Sequence, residues 1–277
     1  MIKRSDEHKH KIGILGCGAI GSHIAAAVIR QLQSETELSA IYDIVPEKAK
    51  SLSSKLGRPA LINTSIEALI SASDFIVEAI NSPRTNEIID KLITAKKDML
   101  VMSVGQLLLH PDLLKKAAGN GSKIIIPSGA IAGIDAIKAA KIAGIKEISI
   151  TTKKPVQGLL GAPYLKKKGL DLQTIKEETE IFSGGVLEAI KAFPQNINVA
   201  ATVALAADVK DILRIRICTS PAFKYNVHEI RLKGDFGEIM TVTQNVAFPD
   251  NPKTSYLAAL SGVAALRSFY GNIKIGT

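Results

Sequence analysis

The chain has 277 residues, 46% hydrophobic but only 4% aromatic with no Trp, a composition of Ala, Ile, Leu and Val that suits parallel sheets covered by helices and excludes a disordered chain. Single cores stop growing at roughly 250 to 300 residues, so two domains are expected. The formal charge of +9 suits an anionic small molecule; the lysines fall in KK pairs and at Lys166, Lys167 and Lys168 without interleaved aromatics, which reads as a solvated face rather than a nucleic-acid surface.

Taken in chain order, "KIGILG", "AIGSHIAAAVIRQLQ", "ELSAIYD", "PEKAKSLSSKLG", "SIEALISA", "DFIVEAI", "TNEIIDKLITAK", "DMLVMSV", "HPDLLKKAAGNG" and "SKIIIPSG" mix short apolar runs with longer amphipathic ones. Strands of about 4 to 8 residues separated by helices of about 10 to 15 make repeated βαβ units, hence an α/β fold with a doubly wound parallel sheet. Beyond "PSGAIAGIDAIKAAKIAG" the texture changes. Strand-like "KEISITTKKP", "ILRIRICTS", "KYNVHEIRLKG" and "EIMTVTQNVAF" crowd around the helical "NVAATVALAADV", which reads as a mixed α/β domain. The run "KTSYLAALSGVAALRSF" closes the chain as a helix.

Gly16, Gly18 and Gly21 form G-x-G-x-x-G directly after the first strand and at the start of a helix. In a dinucleotide-binding loop the first glycine makes the tight turn, the second lets backbone approach a pyrophosphate and the third lets helix pack on strand; the phosphates then sit at the positive end of the helix. Ala19 and Ile20 complete the expected cofactor loop. Asp43 ends the second strand about 20 residues beyond the last glycine, where a carboxylate binds ribose hydroxyls and repels the extra phosphate of NADP, so NAD is the expected cofactor. A glycine-rich turn without a ligand is the alternative. The Rossmann domain is expected over residues 1–130, a catalytic α/β domain over 131–248, and a C-terminal segment over 249–277 whose helix can pack back on the first domain.

Among the histidines, His8 and His10 lie in a charged N-terminal tail, His23 falls on a helix surface, and His110 precedes Pro111 at an expected helix start. In "KYNVHEIRLKG" the period of two puts Asn226, His228, Ile230 and Leu232 on one face, made the buried one by its apolar members. A histidine there suits acid or base work near neutral pH; a core histidine satisfied by hydrogen bonds fits the pattern equally. "IIIPSGAIAGIDAI" sets small residues, Ser128 and Ala132 among them, where backbone can approach a flat ligand or a tight domain crossover. Asn196 and Asn198 precede a long apolar helix, so Asn198 reads as an N-cap or as a donor to a carboxamide. Lys153 and Lys154 suit a substrate carboxylate or solvent. Cys17 and Cys218 are too few for a disulfide framework and lack metal-ligand spacing. No run of about 18 apolar residues is present and the start "MIKRSDEHKHK" lacks a signal-peptide core, so a cytoplasmic protein without a membrane partner is expected.

The stretches "GCGAIGSHIA", "PSGAIAGIDAI", "TTKKP", "FPQNINVAATVALA" and "NVHEI", in this order, resemble the L-aspartate dehydrogenase family over nearly the whole chain. The resemblance implies NAD(P)-dependent oxidation of L-aspartate to iminoaspartate for NAD biosynthesis, in a homodimer of subunits with a Rossmann domain and an α/β catalytic domain. It puts the catalytic histidine at His228, the nicotinamide-side alanine at Ala132 and the cofactor-binding asparagine at Asn198. Gln106 in "SVGQLL" departs from the small residue the family leads one to expect. The rival readings are a related two-domain reductase, acting on dihydrodipicolinate or a semialdehyde, and a catalytically silent NAD-binding regulator.

Overall fold

The computed structural model describes residues 9–80, 82, 84–194, 197–248 and 251–277. The chain divides into two units, Met1–Pro127 with Gly262–Ile273 and Ser128–Ser261 with Lys274–Thr277.

The first unit runs β1 (His10–Leu15), α1 (Ala19–Gln31), β2 (Thr36–Tyr42), α2 (Pro46–Leu56), α3 (Ile66–Ser71), β3 (Phe75–Glu78), α4 (Thr85–Thr94), β4 (Asp98–Val101), α5 (Val104–Leu109), α6 (Pro111–Asn120) and β5 (Ile124–Ile125). Its five strands are all parallel in the order β2-β1-β3-β4-β5. All four residues of β3 are buried, as are the last four of β1. Only a sheet covered on both faces does this, and right-handed crossovers to opposite sides of β1 supply the two layers. Local chemistry sets the helix ends: α2 and α6 start on prolines and stop at Gly57 and Gly121 in the left-handed region, while the Ser65 hydroxyl accepts the Ala68 N–H at 3.1 Å to cap α3.

The second unit continues with α7 (Ile134–Ala143), β6 (Ile145–Pro155), α8 (Pro163–Lys168), β7 (Thr179–Gly185), α9 (Val186–Ala192), α10 (Asn198–Ala207), β8 (Leu213–Ser220), β9 (Asn226–Gly234), β10 (Gly237–Asn245), β11 (Ala247–Phe248) and β12 (Asn251–Ser255). The five-stranded sheet has the order β10-β9-β6-β8-β7, with β6 and β8 parallel and the other pairs antiparallel. One face is buried: Ile148, Ile150, Thr152 and Lys154 of β6, then Asn226, His228, Ile230 and Leu232 of β9. The opposite face carries charge, including the Arg216–Glu180 and Arg231–Glu238 ion pairs. α9 packs on β7 and β8, and α10 packs against α7 and α9. Buried alanines along α10 let it come in close.

The last helix, α11 (Tyr256–Tyr270), starts in the second unit and ends in the first. Its Val263 and Leu266 join Ile12, Ile14, Val28 and Phe75 in one core cluster of the first unit. "KTS", expected to open this helix, instead ends β12. Among the described residues no helix is long and apolar enough to cross a membrane.

Candidate active site

In the first unit the chain leaves β1 for β2 on one side and returns to β3 on the other, which makes the carboxyl ends of β1 and β3 the switch point where such sheets bind ligands. The glycine loop sits there. Gly16 has φ +102°, and a Cβ on it would lie 2.5 Å from the Ala79 carbonyl oxygen, so only glycine lets β1 turn against the segment after β3. A Cβ on Gly21 would fall 1.9 Å from the Gly16 carbonyl oxygen. At Gly18 a Cβ would meet nothing within 4 Å, so this loop backbone faces open space at the start of α1, a cradle that fits a pyrophosphate. Ala19 and Ile20 form the first turn of α1, beside it.

Asp43 holds this loop from the end of β2. One carboxylate oxygen accepts the Cys17 N–H at 2.8 Å and the other accepts the Val45 N–H at 2.9 Å. Each oxygen keeps a second lone pair for a ribose hydroxyl. Burial, with the neighbouring Asp43 charge, pushes the Cys17 thiol up to about 12, so it is no thiolate. A residue that sequence reading misses is Glu78, fully buried at the end of β3, whose carboxylate accepts from Ile80 N at 2.9 Å and from the Ser103 hydroxyl at 2.5 Å.

In the second unit the buried sheet face changes character along its length. Ile148 pairs with Leu232 and Ile150 with Ile230; the next inward pair is Thr152 and His228. Lys154 follows on β6 and Asn226 on β9, both buried. Thr152 Oγ1 lies 3.0 Å from His228 Nδ1. Burial, reinforced by the Lys154 charge, pushes the His228 pKa down to about 3, so the ring is neutral and carries a free lone pair. Burial likewise pushes Lys154 down to about 8. Around this end the Thr219 hydroxyl donates to the Lys154 carbonyl at 2.8 Å, and the Asn226 amide donates to Ser255 Oγ at 3.3 Å.

The expected small-residue loop lies in the same unit. Gly129 N donates to Ser261 Oγ at 3.1 Å, the Asn245 amide donates to the Ala130 carbonyl at 2.9 Å, and the Thr241 hydroxyl donates to the Ala132 carbonyl at 3.4 Å. These bonds fix Ser128, half-buried, and Ala132, exposed, at the ends of a stitched loop.

Two expectations need correction. Lys153 points away from His228 and Lys154, to the opposite face, where it pairs with Glu178 and Glu229, each at 3.4 Å; adjacent strand residues cannot share a face. Asn198 is not the cap of α10 but its first helical residue, with Ile197 in the cap position. His110 does precede α6, yet its side chain makes no capping bond. His8 and Asn196 lie outside the described residues. Among the described residues no group of three or more His, Cys, Asp or Glu side chains could hold a metal ion.

A parallel sheet with this glycine loop, followed by a mixed sheet with a buried histidine, defines a two-unit pyridine-nucleotide dehydrogenase. The family described as "Aspartate dehydrogenase, C-terminal" matches residues 135–269, and "Homoserine dehydrogenase, NAD binding domain" matches residues 16–127. The chain is 40% identical over 270 residues to the L-aspartate dehydrogenase of Methanosarcina barkeri, covering 96% of this chain and 99% of the relative. It is 41% identical over 271 residues to that of Methanocaldococcus jannaschii, with the same coverage of 96% and 99%. The crystal structure of aspartate dehydrogenase from Thermotoga maritima shares the fold, with a TM-score of 0.73 at 23% identity over 97% of this chain and 100% of that one. The chain belongs to the L-aspartate dehydrogenase family.

Proposed function

We propose that the protein catalyses NAD(P)-dependent dehydrogenation of L-aspartate: L-aspartate and NAD(P)+ give iminoaspartate, NAD(P)H and a proton. When bound, the nicotinamide supplies the hydride acceptor for the substrate Cα hydrogen. The open backbone at Gly18, with Gly16, Ala19, Ile20 and Gly21 shaping the turn, holds the pyrophosphate, and Asp43 takes the ribose hydroxyls, which favours NAD over NADP. Asn198 and Ala132 serve the nicotinamide end, and Ser128 helps hold the substrate.

Lys154 binds a substrate carboxylate, an ion pair strengthened by its burial. Substrate amine reaches the protein as an ammonium, which must lose a proton before nitrogen can push the hydride out. His228 takes that proton on Nε2, its basicity raised above the value of about 3 by the substrate carboxylates, which offset the Lys154 charge that helps hold it down, and then returns it to solvent. The observation that supports this reading best is the His228 ring itself: buried, neutral, bonded at Nδ1 and, among the described residues, without a hydrogen-bond partner at Nε2.

The reading includes a cytoplasmic homodimer. Two buried free cysteines suit a reducing compartment, and Met240 and Val242, 70% and 58% exposed on β10, offer apolar surface to a second copy. Light scattering at micromolar concentration decides the assembly. The decisive experiment for the chemistry is NADH formation from NAD with a panel of amino acids. L-Aspartate alone should support turnover; activity with another amino acid only, or with none, overturns the reading.

A further inference from the structure

We infer that Thr152 is the positioning residue of His228: its hydroxyl, 3.0 Å from Nδ1, holds the ring so that Nε2 is the nitrogen that meets the substrate. The inference rests on the role of His228 proposed above and deepens it.

The backbone puts the two side chains together. Thr152 and His228 are cross-strand partners on the buried face, Thr152 7% and His228 3% exposed. On the far side of β9, His228 pairs with Thr243, whose hydroxyl reaches the His228 carbonyl at 3.4 Å. The strand is therefore fixed on both edges, and the ring retains only its own two torsions. A hydrogen bond at one nitrogen removes that remaining freedom.

The residue type is informative. The two inward pairs before this one are apolar, Ile148 with Leu232 and Ile150 with Ile230. A valine at 152 would extend that series with the same shape, so the hydroxyl is the one chemical departure, and it is spent on His228. A hydroxyl also suits the task better than a carboxylate. A carboxylate would stabilise the imidazolium and keep the ring charged, whereas the threonine orients it without adding charge. With the Nδ1–H donating to Oγ1, the Nε2 lone pair is free; when Nε2 takes the ammonium proton, an N–H bond of the substrate breaks, an Nε2–H bond forms, and the Nδ1–H bond to Oγ1 persists. No reorganisation of the partner accompanies the transfer.

The test compares Thr152→Val and Thr152→Ser with the parent protein. Nitrogen NMR of protein labelled in its histidines, with His228→Ala to assign the signal, reads the tautomer directly. The parent should show Nδ1 protonated and Nε2 bare at neutral pH. Thr152→Val should shift His228 toward the Nε2–H form and lower kcat by about 2- to 12-fold, the usual range for one neutral hydrogen bond, with KM for NAD unchanged. Thr152→Ser should restore both. An unchanged tautomer signal in Thr152→Val overturns the inference, as does a serine variant that folds but rescues neither readout. Because the NMR readout needs no substrate, it decides the Thr152 pairing even if the parent oxidises no amino acid, an outcome that counts against the proposed function instead.

Discussion

The Glu78 carboxylate accepts both the hydroxyl and the backbone N–H of Ser103, at 2.5 Å and 3.2 Å, and so ties the end of β3 to the cap of α5. Burial pushes this carboxyl up from its ordinary range, and the donors around it pull the other way. The same carboxylate holds Ile80 N, beside the Ala79 carbonyl that Gly16 approaches. We predict that Ser103→Ala lowers the unfolding free energy by about 1–3 kcal/mol, the cost of leaving a buried acceptor short of a donor. NADH affinity should fall with it, since the loop beside Gly16 loses its anchor. Denaturant unfolding and NADH fluorescence check both; an unaltered unfolding midpoint counts against the anchor.

Asp43 carries the cofactor prediction. The ratio of kcat/KM for NAD to that for NADP should favour NAD, and Asp43→Asn should shift it by about tenfold toward NADP, a change of roughly 1.4 kcal/mol. Asparagine keeps an acceptor for only one of the Cys17 and Val45 N–H groups while removing the charge, so an unchanged kcat/KM with NADP beside a lowered one with NAD separates lost charge from a loosened loop, which would lower both. A parent that prefers NADP removes Asp43 from this role.

For His228, replacement by alanine should lower kcat by about 10² to 10⁴, the span for a general acid or base. NAD affinity should stay near the parent value, because the glycine loop and Asp43 belong to the other unit. His23→Ala and His110→Ala should do far less. Near-normal turnover in a folded His228→Ala protein would make the ring a core residue.

The pH dependence of substrate binding follows from Lys154, held at about 8 by burial. Below that value the ammonium is charged and pairs with a carboxylate; above it the charge is lost. KM for L-aspartate should therefore rise as pH passes about 8. Lys154→Arg, charged throughout, should flatten the rise, and Lys154→Met should give a high KM at every pH. A parent profile that stays flat into alkaline pH would contradict a carboxylate-binding Lys154.

What the sequence discloses is what local spacing determines. The glycine loop, Asp43 and the buried face of "NVHEI" all follow from short-range pattern, and the structure has them in place. Strand periodicity also contains the separation of Lys153 from Lys154, although "TTKKP" invites reading them as a pair. Hidden are the contacts set by register. Thr152 meets His228 across 76 positions, Asn245 reaches Ala130 across 115, and Ser103 reaches Glu78 across 25. No side-chain pattern in any one segment encodes such a distance. The cap of α10 is ambiguous for a different reason, since "NIN" offers two good capping residues flanking the isoleucine that takes the position.

α11 has a consequence for synthesis. The cluster around Ile12, Ile14 and Phe75 is completed by Val263 and Leu266, and the whole second unit up to Ser261 is translated before these two residues emerge. A nascent first unit thus waits on the ribosome with a groove in its core, although N-terminal domains ordinarily fold first. The helix that seals the parallel sheet is made only after the whole of the second unit up to Ser261. A message ending before Gly262 leaves that groove open, and its product should be cleared by proteases rather than persist as a half-enzyme.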